Sequence, residues 1–368
     1  MKILISGYYG FGNVGDEAVL QAVLNELTSR VPDAEICVLS AAPQLTAELN
    51  RVRAIPRYAL FRIIREIRQA DIFVSGGGTL FQDATSRRSF LYYLGLVWLA
   101  KRLGRRVVIL AQGFGPLRGR LNRFLARLVL DRVDLITLRD DESRQELKRL
   151  GVCRPEIVVT ADPTLLDTLP PLAEGRKILA LEGVPAGVPL VGLALRGLKG
   201  QSELENRLAQ EIAAELNGSP RRQPVFLLFQ CPEDMGMTRK VVDRLTVPYH
   251  VIYRLCRPEE MLAMFPHFDL VVAMRLHAVI FATLAKVNCL ALSYDPKVSS
   301  FARLVEQPCV EVSAGEELTD RLAELLLRPL DRRLELELHC RRLCDQARRS
   351  FDLMLEKGYH LDRGGAKR

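Results

Sequence analysis

The sequence predicts an α/β fold built from two doubly wound, Rossmann-like domains with a cleft between them. Three observations predict it. Short Val/Ile/Leu runs of strand length recur along the chain; longer amphipathic stretches separate them; and the pattern starts afresh after a proline-rich segment near the middle. Strands buried on both faces read as continuous apolar runs, and alternation with helices implies a parallel sheet.

In the first half, strands are expected at Lys2–Ser6, Glu35–Leu39, Ile72–Ser75, Val107–Ala111, Leu135–Leu138 and Ile157–Thr160. Helices are expected at Glu17–Val31, Arg57–Gln69, Ser89–Leu103, Leu121–Asp131 and Asp140–Leu150. The stretch Pro163–Pro189, with Pro170, Pro171 and Pro185, reads as an interdomain linker. Beyond it, strands are expected at Leu190–Leu195, Val225–Phe229, His250–Ile252, Leu270–Ala273 and Cys289–Leu292. The helices between and after them are Ser202–Leu216, Asp234–Leu245, Pro258–Phe265, His277–Ala285 and Lys297–Val305. These patterns place an N-terminal domain at 1–170 and a C-terminal domain at 187–330, with a charged helix at about 331–360 packing back on the first. Residues 364–368 read as a frayed tail.

The bulk numbers agree with a two-domain globular chain: 368 residues, 48% apolar and 26% charged. The net charge of +8 is mostly an excess of arginine, whose planar fork suits phosphates and carboxylates. Eight scattered cysteines without a CxxC spacing favour a reducing compartment over a disulfide framework or a metal site. The first strand runs directly into a glycine loop, and the longest apolar run, Phe90–Ala100, is about half the length of a membrane span. A cytoplasmic protein is the expectation.

Chemistry concentrates in loops that follow strands. Gly7 to Glu17 carries the spacing Gly10-x-Gly12-x-x-Gly15, which permits close backbone approach and opens a helix. Asp16 and Glu17 disfavour a pyrophosphate there and suit sugar hydroxyls or a base; a tight turn with an acidic first helical turn explains them equally. Gly76, Gly77 and Gly78 are more glycine than a turn needs, which suggests close approach of a ligand or a neighbouring loop. Gln112-Gly-Phe-Gly-Pro116 follows another strand, so three glycine loops open on one carboxyl edge, where such sheets bind ligands. Arg139 ends a strand before the Asp140–Asp141 helix cap, and Arg196 ends the first strand of the second half. Arg275 and His277 flank a helix start, a favourable seat for an anion, and Lys297 follows the next strand. Histidine also titrates in the range needed for proton transfer.

Taken in order, Gly-x-x-Gly-x-Gly-Asn-x-Gly-Asp-Glu, Gly-Gly-Gly-x-Leu-Phe-Gln-Asp, Gln-Gly-x-Gly-Pro, Arg-Asp-x-x-Ser, Arg-Leu-His and Tyr-Asp-x-Lys resemble the polysaccharide pyruvyl transferases, most nearly the bacterial CsaB type, over about residues 1–305. The resemblance implies a fold like the GT-B glycosyltransferases and transfer of a pyruvyl group from phosphoenolpyruvate to a sugar as a ketal. It implies that Arg139, Arg275, His277 and Lys297 bind phosphoenolpyruvate, with His277, Arg275 and Lys297 catalytic and His277 serving as acid or as base. By position and chemistry, Asn13, Asp16, Gly77, Gly78 and Asp83 fall to the acceptor side. The implied acceptor is an N-acetylmannosamine unit of a lipid-linked secondary cell wall polymer precursor, whose pyruvylated product anchors surface-layer proteins. Neither a cofactor nor a metal is required by that scheme. It also allows peripheral contact with the inner face of the membrane, for which Arg57–Arg68 and Arg118–Arg132 are the basic amphipathic stretches, although both read first as solvated helix faces. A homo-oligomer is compatible with all of this.

Two other classes fit parts of the pattern. A GT-B glycosyltransferase using a nucleotide sugar explains the glycine loops and leaves the Arg275, His277 and Lys297 cluster without a specific use. A non-catalytic anion- or nucleic-acid-binding protein explains the charge, but the chain has no helix-turn-helix or RNA-recognition signature; nucleic acid is not an expected partner.

Overall fold

A computed structural model of the chain describes residues 1–84, 86–313, 316–327 and 332–359. The chain divides into two compact units: residues 1–11, 16–167 and 342–368 form the first, and residues 12–15 and 168–341 the second. The frayed tail expected at 364–368 lies outside the described residues.

In the first unit the chain runs β1 (Lys2–Ser6), α1 (Val14–Arg30), β2 (Glu35–Ser40), α2 (Pro43–Asn50), β3 (Arg53–Pro56), α3 (Leu60–Gln69), β4 (Ile72–Gly76), α4 (Arg87–Arg102), β5 (Arg106–Gln112), α5 (Arg120–Leu130), β6 (Leu135–Leu138), α6 (Asp141–Leu150) and β7 (Glu156–Val159). The seven strands are parallel, in the order β3-β2-β1-β4-β5-β6-β7. Order reverses between β1 and β4, so their carboxyl ends diverge and leave a crevice there. One face of this sheet is covered by α3, α4, α5 and α6 through residues such as Ile63, Phe90, Val97, Ala126 and Leu147. The other face is covered by α1, through Val19, Val23 and Leu27, together with Phe351 and Met354.

The second unit comprises α7 (Leu172–Leu181), β8 (Leu190–Ala194), α8 (Ser202–Asn217), β9 (Gln223–Leu227), α9 (Met235–Val242), β10 (His250–Ile252), α10 (Pro258–Met264), β11 (Leu270–Ala273), α11 (Leu276–Leu284), β12 (Asn288–Ser293), α12 (Pro296–Leu304), β13 (Cys309–Glu311) and α13 (Glu316–Leu327). Its parallel sheet runs β10-β9-β8-β11-β12-β13, with the reversal between β8 and β11. The last helix, α14 (Arg333–Tyr359), belongs to the second unit up to Arg341 and to the first from Arg342.

The segment expected to be a linker is structured. Pro163–Leu166 forms a 3-10 turn capped by Asp162, and α7 buries Gly175, Ile178 and Leu179. Prolines at positions 163 and 171 precede or open these turns, where a missing N–H costs nothing. Besides α7, four elements lack a sequence expectation: α2, β3, β13 and α13. Among the described residues, no helix is long and apolar enough to cross a membrane.

Candidate active site

In the second unit the reversal point places the ends of β8 and β11 side by side, and the residues after them carry the charge. Arg275 caps α11 and is 8% exposed. Its Nε donates to Asp234 Oδ1 at 3.1 Å, its Nη2 donates to the same oxygen, and its Nη1 donates to Gln230 Oε1 at 3.4 Å. Asp234 is fully buried, and its Oδ2 accepts the amides of Phe229 and Gln230 at 3.0 and 2.9 Å. Burial pushes this carboxyl up, against the Arg275 guanidinium, the Gln230 amide and the nearby charge of Arg196. Four donors on one carboxylate fix the plane of the Arg275 guanidinium, which retains one further N–H on each terminal nitrogen.

Two further cations share this carboxyl edge. Arg196 lies 5.0 Å from the Tyr294 ring centroid and donates to its hydroxyl at 2.6 Å. Lys297 pairs with Asp295 at 3.3 Å, and Asp295 Oδ1 also accepts the Lys297 amide at the start of α12.

His277 is held by the segment Gly12–Gly15, which clusters with this unit. Val14 N donates to Phe229 O at 2.8 Å, Asn13 forms an isolated antiparallel bridge with Gln230, and Asn13 Oδ1 accepts the Gly15 amide at 3.1 Å. A β-carbon built on Gly15 would lie 2.1 Å from His277 Nδ1 and 2.7 Å from Cγ. The imidazole therefore packs on bare backbone, and glycine at position 15 is set by the histidine rather than by a left-handed dihedral. Asn13, Arg275 and His277 thus meet in one constellation, with Gln230 and Asp234 as its unexpected members.

The first unit organises its glycine loops around buried tyrosines. Tyr9 donates to Gly76 O at 2.7 Å, and Tyr93 donates to Gly7 O at 3.0 Å. Burial, with Asp16 and Glu17 next in order, raises the Tyr9 hydroxyl well above its ordinary value. Gly77 and Gly78 both have positive φ; side chains there would meet Val19 Cγ1 at 1.9 Å and Asp16 Oδ1 at 3.0 Å. The triple glycine was expected to admit a ligand or a neighbouring loop; the close approach is made by the helix α1. Asp16, Gly77 and Gly78 are brought together, while Glu17 Oε1 accepts the Gly10 amide at 2.8 Å and serves the loop.

Arg139 lies in this unit, 7% exposed. It donates to Thr79 Oγ1 at 2.8 Å and to Asp162 Oδ2 at 3.2 Å, with Asp140 3.5 Å from its Nε. It lies against Gly113, where a β-carbon would come within 3.0 Å of the guanidinium. Asp83 stands apart from the Asp16 group: its carboxylate accepts Arg118 N at 2.8 Å, Gly119 N at 3.0 Å and Asn122 Nδ2 at 2.7 Å. Desolvation raises this carboxyl, and those donors outweigh it, so that it titrates below the usual range. Of the four residues expected to bind phosphoenolpyruvate, Arg139 belongs to the first unit and the other three to the second. Among the described residues, no group of three His, Cys, Asp or Glu side chains could hold a metal ion.

Asp234, Gln230 and Tyr9 are absent from the sequence expectation; Gly15 enters it through the glycine spacing, without its contact to His277. Asp234 has one available signal, its place in the loop after an apolar strand.

Two parallel sheets, each reversing order beside its first strand, define a GT-B-like protein of the Rossmann type. HepE of Anabaena, in a structure with UDP and glucose, superposes over 97% of this chain and 99% of its own with a TM-score of 0.64 and 14% identity. UDP-GlcNAc 2-epimerase of Neisseria meningitidis, bound to UDP-GlcNAc, does so over 97% and 100% with a TM-score of 0.66 and 12% identity. At such identities the likeness is one of fold. The chain belongs to the polysaccharide pyruvyl transferase family, whose sequence model matches residues 13–296. It is also similar to the amylovoran biosynthesis protein AmsJ of Erwinia amylovora, at 23% identity over 241 residues, a match spanning 54% of this chain and 57% of that relative.

Proposed function

We propose that this chain transfers the pyruvyl unit of phosphoenolpyruvate to two hydroxyls of one sugar, forming a cyclic ketal and releasing phosphate. What carries the reading is the gathering of Arg196, Arg275, His277 and Lys297 along the ends of β8, β11 and β12. Phosphoenolpyruvate bears a phosphate and a carboxylate, and such a cationic edge beside the α11 N-terminus matches both.

In this scheme a proton goes to the methylene carbon and positive character develops at C2. One sugar hydroxyl adds there, the C2–O bond to phosphate breaks, and the second hydroxyl closes the ring while its proton is lost. Phosphoenolpyruvate and a diol give a ketal and inorganic phosphate, so the atoms balance without a redox partner. His277 moves a proton as acid or as base; Arg275 and Lys297 offset charge on the departing phosphate. Asp234 is a positioning residue for Arg275. Arg139, tied to Thr79 and Asp162, is given the same kind of role for the glycine loops of the first unit, where Asp16 is an acceptor-side candidate; Asn13, in the second unit, is the other. Asp83 is assigned to the α5 start.

On the resemblance to the CsaB type, the acceptor is an N-acetylmannosamine unit of a lipid-linked secondary cell wall polymer precursor. The test is incubation with phosphoenolpyruvate and such a synthetic acceptor, following phosphate release and product mass. The expected product gains the mass of a pyruvate ketal, and His277→Ala abolishes it while keeping the wild-type melting temperature. Stabilisation by a UDP-sugar but not by phosphoenolpyruvate would instead assign a nucleotide-sugar reaction.

A further inference from the structure

The outer faces of α4 and α5 do not look like solvated surface. On α4, Phe90, Tyr93, Leu94, Val97 and Ala100 point into the core, yet Leu91 and Trp98, seven residues apart, are exposed on the side the core does not use. On α5, Ala126, Val129 and Leu130 are buried while Leu121, Phe124 and Leu128 form an exposed stripe at i, i+3 and i+7. Phe124 is 62% and Trp98 48% exposed. Between the helices lies a groove of about 220 Å³, lined by Trp98, Lys101, Arg102, Val129 and Arg132.

Charge on this face has one sign. Neither helix contains an aspartate or glutamate, while α4 carries Arg87, Arg88, Lys101 and Arg102, and α5 carries Arg120, Arg123 and Arg127. The nearby acids are engaged: Asp83 with the amides of Arg118 and Gly119 and with Asn122, Asp134 with Lys101 and the Val107 amide, and Asp131 with the amides of Cys153 and Arg154. The neighbouring α6 is the internal control. Its outer face mixes signs and pairs them, Arg144 with Asp141 and Arg149 with Glu146.

We propose that the α4–α5 face docks on a bilayer rich in anionic phospholipid. Leu121, Phe124, Leu128 and Trp98 enter the headgroup boundary, and the groove cations Arg102 and Arg132 take lipid phosphates. A second copy of the chain meets the same excess of positive charge on this face. Nucleic acid satisfies the cations and leaves the leucines in water.

Trp98 is the sole tryptophan of the chain, so its fluorescence reports on this face alone. With phosphatidylglycerol vesicles the expected result is a blue shift with co-sedimentation, and neither with phosphatidylcholine vesicles. Partition falls about tenfold or more in high salt, in Arg102→Glu/Arg132→Glu and in Phe124→Asp, with melting temperatures unchanged. No shift with anionic vesicles overturns the proposal, as does a shift that all the variants retain. A lipid-free, concentration-dependent shift assigns the face to a second copy instead. The readout needs no catalysis, so it stands or falls apart from the pyruvyl transfer.

Discussion

At the scale of single residues, the sharpest feature is the contact between Gly15 and His277. An added methyl at position 15 cannot coexist with the imidazole where it stands. Position 15 also lies in the first turn of α1, where alanine is favoured over glycine by about 1 kcal/mol. Gly15→Ala is therefore expected to hold or raise the melting temperature while moving the imidazole by about 1 Å, which costs on the order of 100-fold in turnover. Wild-type activity in that variant would remove His277 from the reaction. Arg275 and His277 were legible in the sequence because a strand that ends in charge is conspicuous. Asp234 was not, because nothing in Cys231–Asp234 distinguishes a fully buried acid from the surface acid beside it. Burial of that kind is created by β11 delivering Arg275 onto it, a contact 41 residues away.

At the scale of elements, α7 shows why composition misleads. Prolines and glycines between two domains suggest a linker, yet Gly175 is the point where α7 meets α10: a β-carbon there would lie 1.8 Å from Ala263 O. In an exposed helix Gly→Ala gains about 1 kcal/mol, but here the obstacle is a backbone carbonyl that cannot rotate away. Overpacking typically costs 1–3 kcal/mol. Gly175→Ala is thus predicted to destabilise the protein by about 1 kcal/mol or more in urea unfolding; net stabilisation would show that the two helices can separate at no cost. Most sheet strands were legible from apolar runs alone. The exceptions are instructive: β3 is four residues with arginine and proline at its ends, and β13 is three. Charged residues or proline at their ends, Arg53 and Pro56 in β3 and Glu311 in β13, hide the apolar run, and both become strands by pairing with β2 and β12.

At the scale of the whole molecule, α14 is shared. Its early residues join the second unit, where Lys286 pairs with Glu337 at 3.0 Å. Its later ones join the first, where Ser350 bonds Thr160 at 2.7 Å and Phe351 and Met354 are fully buried against the α1 cluster. Arg30 adds a cation–π contact, 5.7 Å from the Phe351 centroid, and an ion pair to Asp352. Phe351→Ala should cost about 3–5 kcal/mol of unfolding free energy. A loss below 1 kcal/mol in urea titration would mean that α14 merely rests on the first unit.

The shared helix also bears on synthesis. Domains emerging from the ribosome ordinarily fold in the order they are made. Here the apolar face that Phe351 and Met354 cover stays open until those residues have themselves emerged, after the whole sheet of the second unit. While the sheet of the second unit is being made, the nascent chain carries an unfinished first unit, completed only by residues that follow that sheet in the chain.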